Sequence, residues 1–259
     1  TLDVDSTALG FAGGFPGKFI SKTLEESKIH TDFIEVDEDT RINVKLKSGQ
    51  ETEINAPGPK VTQEQFQALI TQIKNTTSED TVIVAGSVPN SIPSDAYAQI
   101  AEITKNTGAK LVVDAEKDLV DTVLPYRPLF IKPNKDELEV MFNTTVSSDH
   151  DVVKYGKEIL KKGAQSVIIS LGGDGAIYVD EHQSIKAENP QGKVINTVGS
   201  GDSTVAGMVA GLESGLSIQD AFKQAVASGT ATAFEEDLAT RDAIEKIKSQ
   251  VTVSVLDGE

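Results

Sequence analysis

The alternation of short β-branched runs with amphipathic stretches constrains the fold of this chain more than any other feature. From residue 79 onward, the runs that are rich in Val and Ile and predict strands are residues 81–85, 110–114, 129–132 and 166–170. The stretches between them that predict helices are residues 94–106, 134–142 and 149–161. Because strands separated by helices form parallel sheets covered on both faces, the sequence predicts a three-layer α/β/α fold with a mostly parallel central sheet.

Other segments complete this pattern at both ends of the chain. Residues 7–11 predict an early strand and residues 16–27 a helix, while alternating polar and apolar residues at 41–47 and 51–55 predict a hairpin around 48–50. Further antiparallel strands are predicted at 176–180 and 183–187, and closing helices at 202–213, 217–233 and 239–248. A chain of 259 residues suits one large α/β domain, so we expect a single domain over 1–259, with a small β hairpin at about 40–56 standing off the sheet.

Charge and composition exclude several classes of function. The net charge is −16 with no basic face, which argues against binding nucleic acid or an anionic membrane. Any phosphate site must then be built from local amides, a few Lys or Arg side chains and a divalent cation. No apolar run approaches the roughly 18 residues of a membrane-spanning helix. The chain has no cysteine, so disulfides and thiolate metal sites are excluded, and we expect a cytoplasmic protein.

The segment that carries the most chemistry is Gly199-Ser200-Gly201-Asp202, which directly precedes an apolar helical pattern. Small residues at a helix start expose backbone amides, and the helix dipole favours an anion there. Asp202 would stand beside that anion, placed to accept a proton from an attacking hydroxyl, an arrangement that suits phosphoryl transfer. A glycine-rich turn with Asp202 as an ordinary helix cap explains the same residues.

Two further motifs follow predicted strands, at the edge of the sheet where α/β proteins bind ligands. Lys132 precedes Asn134 and Glu137, whose spacing suits either a metal-bridged nucleotide or a reciprocal helix cap. The second motif is a glycine-rich turn able to hold nucleotide phosphates or ribose, or to act only as a turn, and comprises Ser170, Leu171, Gly172, Gly173, Asp174 and Gly175.

Two charged residues leave their roles open. Asp114 ends a strand and either lines the same crevice or caps the next helix. Arg41 begins the hairpin, where it is either a surface charge or a fork for a substrate phosphate. His30, His150 and His182 are scattered, so the sequence supports neither a histidine-based hydrolase triad nor a histidine metal site.

The ordered series of motifs resembles that of the ribokinase-like sugar kinases, specifically their phosphosugar branch. The matching segments are Gly86-Ser87-Val88-Pro89, Lys132-Pro133-Asn134-x-x-Glu137, Ser170-Leu171-Gly172-x-x-Gly175 and Thr197-Val198-Gly199-Ser200-Gly201-Asp202. Thr40-Arg41-Ile42-Asn43 is similar to that branch as well. The family usually has Asp where this chain has Asn196, and Ala where it has Ser200.

The resemblance implies an ATP-dependent kinase that acts on a phosphorylated ketohexose. Asp202 would be the base, and the amides of Gly199, Ser200 and Gly201 the anion hole. Asn134 and Glu137 would organise Mg²⁺ and its waters, and Lys132 would assist the phosphates. ATP would lie on the turn at 170–175, beside a helix of small residues that includes Ser228 and Gly229. Arg41 would bind the sugar phosphate from a lid hairpin, through which a homodimer could form.

The family also implies a strand, two lid strands and a glycine-rich segment before residue 1, and we expect the given sequence to be truncated there. A non-catalytic nucleotide-binding fragment is therefore the alternative from another functional class. Among phosphosugars, the resemblance favours fructose-1-phosphate, which would be converted to fructose-1,6-bisphosphate, and tagatose-6-phosphate is the alternative. Ribose and nucleosides are the other substrates that the family allows.

Overall fold

The computed structural model of the chain describes residues 1–48 and 50–256. Its strands are β1 Thr7–Ala12, β2 His30–Glu35, β3 Val44–Ser48, β4 Gln50–Ile54, β5 Thr81–Ala85, β6 Lys110–Asp114, β7 Phe130–Ile131, β8 Ser166–Ser170, β9 Ala176–Asp180, β10 Ser184–Glu188 and β11 Thr252–Val255. Its helices are α1 Gly14–Glu26, α2 Gln63–Lys74, α3 Ala96–Thr107, α4 Lys117–Val123, α5 Lys135–Phe142, α6 Asp149–Lys162, α7 Ser200–Glu213, α8 Ile218–Ala233 and α9 Arg241–Lys248.

Each strand and helix predicted from the sequence is present, with ends that shift by a few residues. The elements not predicted are β2, α2, α4 and β11. Gly49, in the predicted hairpin turn, lies outside the described residues. None of the helices in the described part of the chain is long and apolar enough to span a bilayer.

The chain divides into two compact units. The larger comprises Thr1–Val4, Ser78–Gly86 and Gly108–Glu259, and the smaller comprises Asp5–Thr77 and Ser87–Thr107. The expectation of one domain over residues 1–259 stays a prediction.

The larger unit is built on a sheet with the strand order β11-β10-β9-β8-β7-β6-β5. The strands from β5 to β8 pair in parallel, and the pairs β8–β9, β9–β10 and β10–β11 are antiparallel. Because β9 is antiparallel to both its neighbours, β10 runs in the direction of β5–β8, so five of these seven strands run the same way. This confirms the predicted α/β class with a mostly parallel sheet.

The alternation of side chains along these strands provides two apolar faces. On one face, Ile168 and Tyr178 belong to a core that also contains Met208 of α7, Phe222 of α8 and Ile244 of α9. On the other face, α6 packs closely, since a Cβ atom at Gly156 would lie 2.9 Å from Val179 Cγ2 and 3.4 Å from Val167 Cγ1. The sheet is therefore the middle of three layers, and its strand ends support the segments considered below.

The smaller unit contains two separate pairs of strands. β1 and β2 are parallel, and β3 and β4 form the predicted antiparallel hairpin. Val44 faces Ile54 across this hairpin, and Leu46 follows two residues later on the same side of β3. All three side chains are exposed, so one side of the hairpin presents an apolar strip in the described chain.

Candidate active site

The start of α7 has open backbone amides where the sequence predicts an anion site. Gly199 has a φ of 80°, a left-handed conformation that glycine adopts without steric cost, and α7 begins at Ser200. The amide of Ser200 donates to the Thr197 carbonyl at 3.2 Å, and that of Ser203 donates to the Gly199 carbonyl at 2.8 Å. No acceptor within the described residues pairs with the amides of Gly201 and Asp202. These two donors, at the positive end of the helix dipole, suit an anion.

A buried lysine lies against this helix start. Lys132 follows β7, and its side chain is only 8% exposed. Its Nζ is 3.2 Å from Oδ1 of Asp114, which lies at the end of β6 and provides the opposite charge. A Cβ atom at Gly201 would lie 3.2 Å from Lys132 Nζ and 4.0 Å from Asp114 Oδ2. The absence of a side chain at Gly201 thus lets the ammonium group approach the backbone of α7. The structure brings Lys132, Gly201 and Asp114 together from three separate segments.

The surroundings of Asp114 shift the pKa of its carboxyl group. Burial raises its pKa above the ordinary value, and Lys132 opposes this by lowering the pKa. The negative charges of Asp202 and Glu137 raise the pKa of Asp114 further. The sequence left open whether Asp114 lines the ligand crevice or caps the next helix. In the structure, its carboxylate lies beside the ammonium group of Lys132.

Asn134 and Glu137 form a reciprocal cap at the start of α5. The amide of Asn134 donates to Glu137 Oε2 at 2.7 Å, and that of Glu137 donates to Asn134 Oδ1 at 2.8 Å. The capping interpretation therefore describes the local geometry. It does not exclude a ligand, since Asn134 is exposed and Glu137 is only half-buried.

The glycine-rich turn lies beside this cap. An isolated bridge pairs Asn134 with Ser170, and the amide of Ser170 donates to the Pro133 carbonyl at 3.0 Å. Gly172 and Gly175 have φ values of 61° and 93°, and a Cβ atom at Gly175 would overlap the carbonyl oxygen of Ala187. Apart from the chain neighbours of each glycine, no atom of the described residues lies within 4 Å of a Cβ atom built at Gly172 or Gly173, so the outer surface of the turn is open.

Ser228 and Gly229 lie in the interface between α7 and α8. Ser228 is 1% exposed and its hydroxyl donates to the Gln224 carbonyl at 2.8 Å. A Cβ atom at Gly229 would overlap Thr204 Oγ1 and approach the Ser200 carbonyl oxygen to 2.9 Å. These residues let α8 pack closely on the first turn of α7, and their predicted contact with ATP stays a prediction.

Arg41 belongs to the smaller unit, at the base of the hairpin. Its guanidinium group donates to the Ala56 carbonyl at 3.4 Å, and Asn43 Oδ1 accepts from the Ala56 amide at 3.3 Å. The Arg41 side chain is exposed, which leaves its remaining donors accessible to an anion.

Comparison with known proteins identifies the class of enzyme to which these features belong. Residues 1–244 match the family described as pfkB family carbohydrate kinases. The chain therefore belongs to the pfkB family of carbohydrate kinases, and ATP as phosphoryl donor follows from that membership. The resemblance inferred from the motifs is confirmed.

Two individual relatives and one solved structure are similar to nearly the whole chain. The chain is 43% identical to a 1-phosphofructokinase of Bacillus subtilis over 253 residues, which are 98% of this chain and 84% of the relative. It is 37% identical to a D-tagatose-1-phosphate kinase of Bacillus licheniformis, with the same shares covered. A crystal structure of a candidate phosphofructokinase from Staphylococcus aureus superimposes with a TM-score of 0.91 at 80% identity, covering all of this chain and 84% of that one.

Proposed function

We propose that this chain transfers the γ-phosphoryl group of ATP to the 6-hydroxyl group of fructose-1-phosphate, forming fructose-1,6-bisphosphate and ADP. The observation that carries the proposal is the start of α7, where two open amides, the buried ammonium group of Lys132 and the exposed carboxylate of Asp202 converge. A site of this kind binds a transferring phosphoryl group and positions a base next to it.

In the proposed reaction, the 6-oxygen of the sugar attacks the γ-phosphorus and the bond from that phosphorus to the bridging oxygen of ADP breaks. Asp202 takes the proton of the attacking hydroxyl. The amides of Gly201 and Asp202 donate to the phosphoryl oxygens, with the Gly199 turn holding them at the helix start. This set differs from the amides of Gly199, Ser200 and Gly201 that the family resemblance implies, because the Ser200 amide already donates to the Thr197 carbonyl. Lys132 adds a positive charge, and its burial strengthens the interaction because water is excluded around it. A loose transition state asks little of the base, because positioning of the reacting groups dominates.

The residues present fit a magnesium ion that is held mainly by phosphates and water. Within the described residues, no group of three acidic or histidine side chains could hold a metal directly. Mg²⁺ keeps several waters and uses one or two carboxylates together with substrate phosphates. Glu137, with one oxygen engaged in the cap, and Asn134 would hold that water shell, and the ion would neutralise charge on the phosphates.

The choice of fructose-1-phosphate is supported by the Bacillus subtilis relative, which is named for phosphorylation of that sugar phosphate. The Bacillus licheniformis relative makes a tagatose phosphate the second candidate, since it is named for tagatose-1-phosphate. Both sugars carry a phosphate that the accessible fork of Arg41 could bind bidentately. This fork supports a phosphorylated substrate over ribose or a nucleoside.

For the hairpin, we propose a lid role and a homodimer formed through its apolar strip. Exposed Val44, Leu46 and Ile54 on one side of a two-stranded sheet favour burial against a second copy of the same strip.

The test is a coupled assay of ADP release with fructose-1-phosphate, tagatose-1-phosphate, tagatose-6-phosphate, ribose and adenosine. We expect the highest kcat/KM with fructose-1-phosphate. A higher kcat/KM with a tagatose phosphate would transfer the proposal to the second candidate, and absence of phosphorylation with every sugar would favour the non-catalytic alternative. Analytical ultracentrifugation of the wild type and of Leu46→Glu tests the dimer, which should dissociate in the variant.

A further inference from the structure

Asn189, which no motif singled out, connects the glycine-rich turn to α8. It directly follows β10 and precedes Pro190, a position that restricts its backbone to extended conformations. Its Nδ2 donates to the Gly172 carbonyl at 2.9 Å, and its Oδ1 accepts from the hydroxyl of Thr230 at 2.8 Å. Thr230 is 6% exposed and lies near the end of α8.

The chemistry of the partners fixes the orientation of this amide group. A carbonyl oxygen only accepts hydrogen bonds, so the nitrogen of Asn189 must face Gly172. The hydroxyl of Thr230 donates to the remaining oxygen, Asn189 Oδ1. The same hydroxyl is also 2.8 Å from the Val226 carbonyl, so its single proton is shared between these two acceptors. An aspartate at 189 would turn an acceptor toward the Gly172 carbonyl and lose the bond.

The same end of α8 also supports the start of α7. The hydroxyls of Thr232 and Ser203 lie 2.9 Å apart, and Ser203 directly follows Asp202. The close approach of Gly229 to the Ser200 carbonyl adds backbone packing at this point. The last turns of α8 therefore contact the anion site directly and the glycine-rich turn through Asn189.

We propose that Asn189 is a positioning residue that fixes the glycine-rich turn for ATP binding. Gly172 adopts a left-handed conformation, and apart from its chain neighbours no atom of the described residues would lie within 4 Å of a Cβ atom built on it. Its carbonyl is therefore oriented mainly by the bonds that it accepts, one from the Gly175 amide at 3.2 Å and one from Asn189. This inference rests on the proposed role of residues 170–175 as the nucleotide-binding turn.

The experiment measures ADP binding by isothermal titration calorimetry together with steady-state kinetics. In Asn189→Ala we expect the Kd for ADP and the KM for ATP to rise about fivefold, the effect of losing one net hydrogen bond. The KM for the sugar phosphate should be unchanged and kcat should stay within about twofold. Asn189→Asp, which keeps the size of the side chain, should weaken ADP binding at least as much as Asn189→Ala.

Thr230 tests the second half of the connection. Thr230→Val removes the hydroxyl with little change in shape and should weaken ADP binding, whereas Thr230→Ser keeps the hydroxyl and should bind ADP like the wild type. Ser217→Ala is the matched control, because it removes the cap at the opposite end of α8 and destabilises the helix by a similar amount without touching the turn.

Two results would overturn the proposal: an unchanged ADP Kd in Asn189→Ala, or an equal loss of ADP affinity in Ser217→Ala. Should the wild type bind ADP but phosphorylate no sugar, the proposed function fails and the role of Asn189 is still decided by calorimetry. Should the wild type not bind ADP at all, both proposals fail.

Discussion

Replacing Lys132 by methionine should destabilise the protein because it leaves Asp114 buried without its partner. Nζ and Oδ1 are 3.2 Å apart, and their side chains are 8% and 19% exposed. At an effective dielectric constant of about 20, that separation corresponds to an attraction of about 5 kcal/mol. Removing one partner of a buried pair typically costs about 3–5 kcal/mol, and the partial exposure of Asp114 favours the lower end. We therefore expect the free energy of unfolding to fall by about 3 kcal/mol at pH 8.

The loss should depend on pH with a defined sign. Lys132 lowers the pKa of Asp114 against the effect of burial, so the pKa of Asp114 should rise further in the Lys132→Met variant. A carboxyl group whose pKa is higher in the folded than in the unfolded state contributes stability below its unfolded pKa, and that contribution is lost as the pH rises through its folded pKa. The deficit relative to the wild type should therefore be smaller at pH 5.5 than at pH 8.

Urea denaturation of the wild type and the variant at both pH values provides the measurement. The double variant Lys132→Met/Asp114→Asn removes both charges and should recover a large part of the lost stability while remaining inactive, because the site still lacks its cation. A deficit below about 1 kcal/mol, or one that does not change with pH, would refute the reasoning. A double variant no more stable than Lys132→Met would show that Asp114 is not the source of the cost.

Three further predictions concern the proposed chemistry. Asp202→Asn should lower kcat at least about a hundredfold with nearly unchanged ATP binding, since a general base contributes about 10²–10⁴, and wild-type turnover would exclude Asp202 as the base. Glu137→Gln should preserve the cap and the melting temperature but raise the Mg²⁺ concentration needed for half-maximal activity. An altered melting temperature with an unchanged Mg²⁺ titration would show that Glu137 is only a capping residue. Arg41→Ala should lower kcat/KM for fructose-1-phosphate by about two orders of magnitude with little change for ATP, and Arg41→Lys should recover only part, because lysine keeps the charge without the fork. Equal activity of Arg41→Ala and wild type would contradict a phosphate contact.

Local patterns predicted the elements that carry the candidate site. The apolar repeat after Gly201 predicted α7, and the spacing of Asn134 and Glu137 offered the cap on α5 as one of two interpretations. Both features depend on contacts within a few residues. β2 was not predicted, because its polar and charged residues give it no continuous apolar run, and it depends on pairing with β1.

The sequence by itself determined the fold class, the family and the glycine-bounded helix start, because periodicity, turn chemistry and motif order are properties of short segments. It also predicted that strand ends would converge, since parallel strands end at one edge of a sheet. Only the tertiary structure decided that Asp114 pairs with Lys132 and that Nζ meets the backbone at Gly201. It likewise decided that Asn189 joins Gly172 to Thr230. These distances depend on strand register and on the close packing of α8 against α7, which side chains far apart in the sequence fix together.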